Sequence, residues 1–200
     1  LDVSSTAVFD GNVGIGTTAP TKLLDVNGDA LINGLTVGRG AGNATTNTAL
    51  GLSTLNANTT GINNTAVGRN ALQVNTAGAS NTAVGNATLT SNIEGEHNTA
   101  LGTNALQNST GDYNTAIGRR DGRYIEGSNN TNLGAYEGTT ADATLSNTVI
   151  ISAGTTERLR IDSSGNVGIG TTSPSERLTN DGNFQNIGNA VIGTSNLWTF

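Results

Sequence analysis

The side chains able to do chemistry are few and poorly placed for it. His97 is the single histidine, and cysteine and methionine are absent, so no thiolate ligand, catalytic thiol or disulfide framework is available. His97 stands immediately before Asn-Thr, in a slot held elsewhere by Asn63, Ser80, Tyr113, Asn129 and Ser146. So variable a slot predicts an exposed turn, not a metal ligand or a general base. Asp121, Glu126, Glu137 and Asp142 could supply the two carboxylates of a glycosidase. Such a pair must face across a cleft of roughly 5–9.5 Å, and no spacing here defines one. Gly38-Arg-Gly-Ala-Gly42 follows the apolar run Leu35-Thr-Val37 like a phosphate-binding loop, yet Asn43-Ala-Thr-Thr-Asn47 behind it offers no helix N-terminus. The inventory reads as that of a protein that is not an enzyme, with no metal and no cofactor.

The richest cluster of functional side chains lies between Tyr113 and Glu137, where Tyr113, Arg119, Arg120, Arg123, Tyr124 and Tyr136 gather with Asp121, Glu126 and Glu137. Aromatic rings beside charged hydrogen-bonding groups can stack on sugars or anchor a protein receptor. The same residues can instead form solvated surface pairs, with the tyrosines covering a coil edge or a subunit seam. Six Asn-x-Ser/Thr sequons begin at Asn43, Asn58, Asn63, Asn86, Asn108 and Asn129. The Asn, Ser and Thr content yields about six by chance, so they carry no message.

Behind these residues runs a repeat. Asn-Thr-Ala-(Leu/Val/Ile)-Gly recurs at Asn47–Gly51, Asn64–Gly68, Asn81–Gly85, Asn98–Gly102 and Asn114–Gly118, with degenerate copies at Asn130–Gly134 and Asn147–Ile151. The starts step by 17, 17, 17, 16, 16 and 17 residues, a period that predicts a stacked solenoid. Asn, Thr and Gly supply 88 of the 200 residues, while Leu, Ile, Val and Phe supply only 43, too few for an ordinary compact core. Each cycle reads as two short strands joined by Gly/Asn/Ser turns, with almost no helix, because no 3.6-residue apolar stripe persists.

The apolar parity of the repeat carries more. Ala66 and Val67 are adjacent and must project from opposite faces of a strand, so both faces are apolar. A coil this short has room inside for one small side chain, which leaves the other face to be buried by a second copy of the chain. The recurring Asn47, Asn64, Asn81, Asn98, Asn114, Asn130 and Asn147 would stack into a hydrogen-bonded ladder along the axis. Alternatively, each takes a turn conformation with positive φ.

Three regions follow: a β-rich connector at 1–38, the repeat solenoid of about seven coils at 39–153, and a second connector at 154–200. Asn12-Val-Gly-Ile-Gly-Thr-Thr-Ala-Pro20 returns as Asn166-Val-Gly-Ile-Gly-Thr-Thr-Ser-Pro174, so the connectors are duplicates. The net charge of −6 is spread out with no basic stripe, which argues against a nucleic-acid partner. No apolar run reaches the roughly 20 residues that span a bilayer, so no membrane insertion is expected. A start at Leu1 in place of Met fits a fragment or a processed product.

The Asn-Thr-Ala-(Val/Ile/Leu)-Gly cycles followed by Asn70-Ala71-Leu72 and Asn104-Ala105-Leu106 resemble the head repeats of trimeric autotransporter adhesins. The Gly-Asn-Val-Gly-Ile-Gly-Thr-Thr block beginning at Gly11 and at Gly165 resembles segments of bacteriophage tail fibres. The likeness runs from about Asp10 to Gly188, although the period here is longer than that of the usual adhesin head. It implies an all-β fold of left-handed β-roll-like coils in a coaxial homotrimer. The implied role is a structural segment of a viral tail fibre, placed in the virion and outside the host cell, or of an adhesin on a bacterial surface. That segment would stiffen and extend the fibre and support attachment to a host glycan or protein receptor. The alternatives are a carbohydrate-binding module or the subunit of a self-polymerising extracellular filament.

Overall fold

A computed structural model describes residues 11–42, 44–138 and 142–180, and no helix occurs among them. Fourteen strands form: β1 (Val13–Ile15), β2 (Leu24–Val26), β3 (Ala30–Ile32), β4 (Leu35–Gly38), β5 (Thr48–Gly51), β6 (Thr65–Val67), β7 (Thr82–Val84), β8 (Thr99–Leu101), β9 (Thr115–Ile117), β10 (Thr131–Leu133), β11 (Val149–Ala153), β12 (Thr156–Ile161), β13 (Val167–Ile169) and β14 (Leu178–Asn180). Strands β5 to β11 pair in parallel, each with the next in sequence, which is the signature of a β-solenoid. Six turns of the solenoid separate these seven strands.

The register places like on like. Thr48, Thr65, Thr82, Thr99, Thr115 and Thr131 stack in one column, and Ala49, Ala66, Ala83, Ala100 and Ala116 in the next. The alanines are sealed inside, while Leu50, Val84, Ile117, Leu133 and Ile151 on the opposite face stay 37–44 % exposed. The parity expected of adjacent Ala and Val is therefore observed.

Each coil carries one strand, not two. Where the second was expected, the backbone turns through left-handed conformations at Ser53, Leu55 and Asn63 and at their counterparts in later coils. Buried leucines take this strained geometry, Leu55 at φ 48°, Leu72 at 49°, Leu89 at 50° and Leu106 at 46°. A left-handed residue with a side chain costs roughly 1–2 kcal/mol, and burying a leucine returns roughly 1.5–3 kcal/mol, so the inward column holds the turn in place. Glycine is obligatory at Gly85, where φ is +138° and a Cβ would lie 2.7 Å from the Gly102 carbonyl of the next coil.

The parallel ladder continues into antiparallel strands at both ends. At the front, β4 pairs with β5 and with β3 across a two-residue turn, Asn33-Gly34, whose positive φ values of 50° and 84° suit a tight hairpin. At the back, β12 folds against β11, β13 against β12, and β14 then runs parallel to β13. The duplicated nonamers fold alike. Val13 pairs with Leu24 as Val167 pairs with Leu178, and Gly14 lies against Thr17 and Pro20 as Gly168 lies against Thr171 and Pro174.

The last cycle is one residue out of the phase that the sequence suggests. β10 and β11 align Thr131 with Val149 and Asn132 with Ile150. Thr148, and not Asn147, therefore occupies the Asn position of the repeat. A one-residue slip would exchange the two faces of β11, and Ile150, fully buried in the column of the alanines, fixes the choice.

Candidate functional site

Two surfaces and one interior are built by the repeat. The interior is the asparagine ladder. The backbone N–H groups of Asn64, Asn81, Asn98, Asn114 and Asn130 donate to the side-chain Oδ1 of the asparagine one coil earlier, at 2.9–3.0 Å. Each ladder side chain also donates from Nδ2 to a backbone carbonyl at the coil's end, from Asn47 to Gly61 at 2.9 Å and from Asn64 to Gly78 at 2.8 Å. The six residues Asn47 to Asn130 are buried, and none has positive φ. The left-handed residue is the one before: Asn63, Ser80, His97, Tyr113 and Asn129. Asn147 belongs to that outer column, exposed at φ 56°, and Thr148 closes the ladder by donating its N–H to Asn130 Oδ1 at 3.2 Å.

A second ladder was not read from the sequence. Asn75 Nδ2 donates to Asn58 Oδ1 at 3.1 Å and Asn92 Nδ2 to Asn75 Oδ1 at 2.9 Å, while the same groups reach the carbonyls of Gly78 and Gly95. Its signal was available, since each of these asparagines precedes the glycine at 61, 78 or 95 by three residues. The ladder stops at Ser109, whose shorter side chain leaves Asn92 Oδ1 without a partner.

The cluster between Tyr113 and Glu137 is divided by the fold. Arg120 pairs with Glu137 at 3.0 Å, Arg123 reaches the other oxygen of Glu137 at 3.9 Å, and the Arg123 guanidinium lies 5.1 Å from the Tyr124 ring centroid. Arg119 is exposed on the same turn. Tyr136 is inside, packed with Ile125 and Ile150, and its hydroxyl donates to Asp142 at 2.8 Å. Burial and then the Asp142 carboxylate hold the Tyr136 hydroxyl well above its usual range. Tyr113 sits apart, stacked on His97 of the preceding coil with ring centroids 4.8 Å apart and planes 10° from parallel. Both rings project from left-handed residues, and Glu96 approaches His97 at 3.9 Å.

Of the carboxylates, Glu126 is exposed and Asp121 is fully buried. Asp121 accepts hydrogen bonds from the backbone N–H of Ile117 at 3.2 Å and of Tyr136 at 3.1 Å, yet burial outweighs them and raises its pKa to about 6. Asp142 joins a buried ion cluster at the back of the solenoid, 3.5 Å from Arg160, whose guanidinium grips Glu157 with two bonds of 2.8 Å. Burial opposes the Arg160 charge, and Glu157 with Asp142 more than restores it. Glu157 and Arg160 fall outside the repeat, so periodicity gave no hint of them. Among the described residues, no group of three or more His, Asp or Glu side chains converges as metal ligands would.

The outer surface of the sheet is the remaining feature. Leu50, Val67, Val84, Leu101, Ile117, Leu133 and Ile151 stand one per coil on a single face, flanked two residues earlier by the half-buried or exposed Thr column. Neither a family model, nor a curated protein, nor a solved structure matches the chain. No helix among the described residues is long and apolar enough to cross a membrane.

Proposed function

We propose that this chain is a structural fibre segment, one of three identical coaxial chains, that stiffens and extends a viral tail fibre or a surface adhesin supporting attachment to a host receptor. The supporting observation is the aliphatic column from Leu50 to Ile151, an unbroken apolar stripe on a sheet whose own interior is already filled by alanine and leucine. A stripe of this length on a free monomer is an association surface. Its spacing is that of the coils, so identical chains set side by side match it rung for rung. Left-handed coils and duplicated connectors belong to the same reading, as does placement in the virion or on a bacterial surface. Sedimentation equilibrium tests it: a mass three times the 20.2 kDa of the chain is expected, and a folded monomer at micromolar concentration overturns it.

A second reading, carbohydrate recognition, has one observation in its favour. The His97–Tyr113 stack leaves Tyr113 58 % exposed, with Glu96 beside it, an arrangement suited to a sugar ring. Glycan-array binding that disappears in Tyr113→Ala would support it, and an array without signal removes it. End-to-end self-polymerisation would have to proceed through β3 and β14, the terminal strands of the sheet, because β4 and β12 cover the first and last parallel strands.

A further inference from the structure

Among the described residues, the apolar columns of the solenoid interior are interrupted at one level. The buried leucine column of Leu55, Leu72, Leu89 and Leu106 ends where coil five presents Gly122, and the alanine column ends where coil six presents Asn132. The two changes are coupled. A Cβ on Gly122 would lie 2.9 Å from Asn132 Nδ2 and 3.0 Å from Leu106 Cδ2, so the asparagine amide fills the volume that a leucine would take. Asn132 is fully buried, and neither Nδ2 nor Oδ1 has a hydrogen-bond partner. Beside Gly122 in the chain, the fully buried Asp121 takes the place that Ala71 and Ala105 hold in coils two and four. Beyond this layer the apolar packing starts again as a separate cluster, Ile125, Tyr136 and Ile150, with no member in common with the first.

We propose that the layer formed by Asp121, Gly122 and Asn132 divides the solenoid into two cooperative blocks, coils one to four and coils six to seven, and that protonation of Asp121 sets how firmly they are joined. The physical reason lies in what crosses the layer. In coils one to four the leucine and alanine columns fill the centre; here the pairing of β9 with β10 and the Asn114–Asn130 rung continue, but the centre holds an amide with two unpaired atoms and one carboxyl group. An unsatisfied buried polar group costs roughly 1–3 kcal/mol, so the layer is the weakest rung. Ionised Asp121 bridges coils by accepting from Ile117 of its own coil and Tyr136 of the next, but it places a charge in an apolar shaft.

Among the described residues, no opposite charge relieves that cost. Arg120 and Arg123 of the same coil are engaged by Glu137 of coil six, Tyr136 is bonded to Asp142, and the facing turn of coil four from Thr103 to Asn108 carries no titratable group. Burial accordingly raises the Asp121 carboxyl from 3.8 to about 6. A raised acid is favoured by folding in its protonated form. Its contribution to stability is fully present below pH 4 and is lost as the pH rises through about 6. A rise from 3.8 to about 6 corresponds to roughly a hundred-fold change in the opening equilibrium of the layer.

Hydrogen exchange read by mass spectrometry on the full chain, at pH 4.5 and pH 7.5 after correction for intrinsic rates, tests the proposal. Peptides from coils six and seven should exchange together and faster than those from coils one to four at pH 7.5, and the gap should close by up to a hundred-fold at pH 4.5. Asp121→Ala, which restores the residue of coils two and four, should remove the pH dependence of the gap. A single protection level across all seven strands at both pH values, or an unchanged pH response in Asp121→Ala, overturns it. Should that variant not fold, carboxyl NMR titration of the unmodified chain decides: a midpoint near 6 for Asp121 supports the proposal and one below 4 sinks it.

Discussion

In the trimer proposed above, charge placed on the outer aliphatic column should dissolve the assembly while leaving each coil intact. Val84 and Ile117 are 37 % and 44 % exposed in the single chain, so about two-fifths of each side chain remains to be buried by a neighbour. Full burial of such a side chain is worth roughly 1.5–3 kcal/mol, which gives roughly 0.6–1.2 kcal/mol for the remainder. The double variant Val84→Glu with Ile117→Glu removes six such contributions from a trimer, roughly 4–7 kcal/mol. At about 1.4 kcal/mol per decade, the trimer dissociation constant should rise by roughly three to five powers of ten, before any repulsion among the new carboxylates. Sedimentation equilibrium across a nanomolar-to-micromolar series measures it, with Thr103→Glu, on an exposed turn, as the control. High salt should recover only the repulsive part, because screening acts on charge and not on lost apolar contact. A double variant that associates as tightly as the parent chain would refute the assignment of this face to the subunit seam.

Further outcomes follow from the interior. Asn81→Ala removes both the acceptor for the Asn98 N–H and the donor to the Gly95 carbonyl, and should cost roughly 2–5 kcal/mol in denaturant unfolding at fixed protein concentration. Asn63→Gly, at an exposed left-handed position one residue outside the ladder, should stay within about 0.5 kcal/mol of the parent. Gly85→Ala combines φ +138° with a clash on the Gly102 carbonyl and should cost roughly 3 kcal/mol or more, against about 1 kcal/mol for Gly154→Ala, where nothing lies within 4 Å. Arg160→Ala strands the buried Glu157 carboxylate and should cost roughly 3–5 kcal/mol, read as a fall in melting temperature. Arg160→Met combined with Glu157→Leu should recover most of that loss.

The sequence by itself determined the solenoid, the division of apolar residues between inside and outside, and six of the seven ladder asparagines. The reason is phase. In a parallel stack, residues one period apart meet the same neighbours, so a side chain that suits one coil suits all of them, and the match is visible as repetition. The second ladder of Asn58, Asn75 and Asn92 was legible on the same grounds. What only the tertiary structure decided lies where the period is broken. With coils of 16 residues after Asn98 and a step of 18 from Asn130 to Thr148, sequence spacing no longer says which column a residue enters. Burial of Ile150 moved Asn147 to the surface and Thr148 into the ladder. The join of coils five and six drew Tyr136 into the core, matched Arg120 and Arg123 to Glu137, sealed Asp121 inside and set Gly122 against Asn132. Each of these depends on which side chain best fills a space left by another coil, and that volume exists only once the coils are stacked.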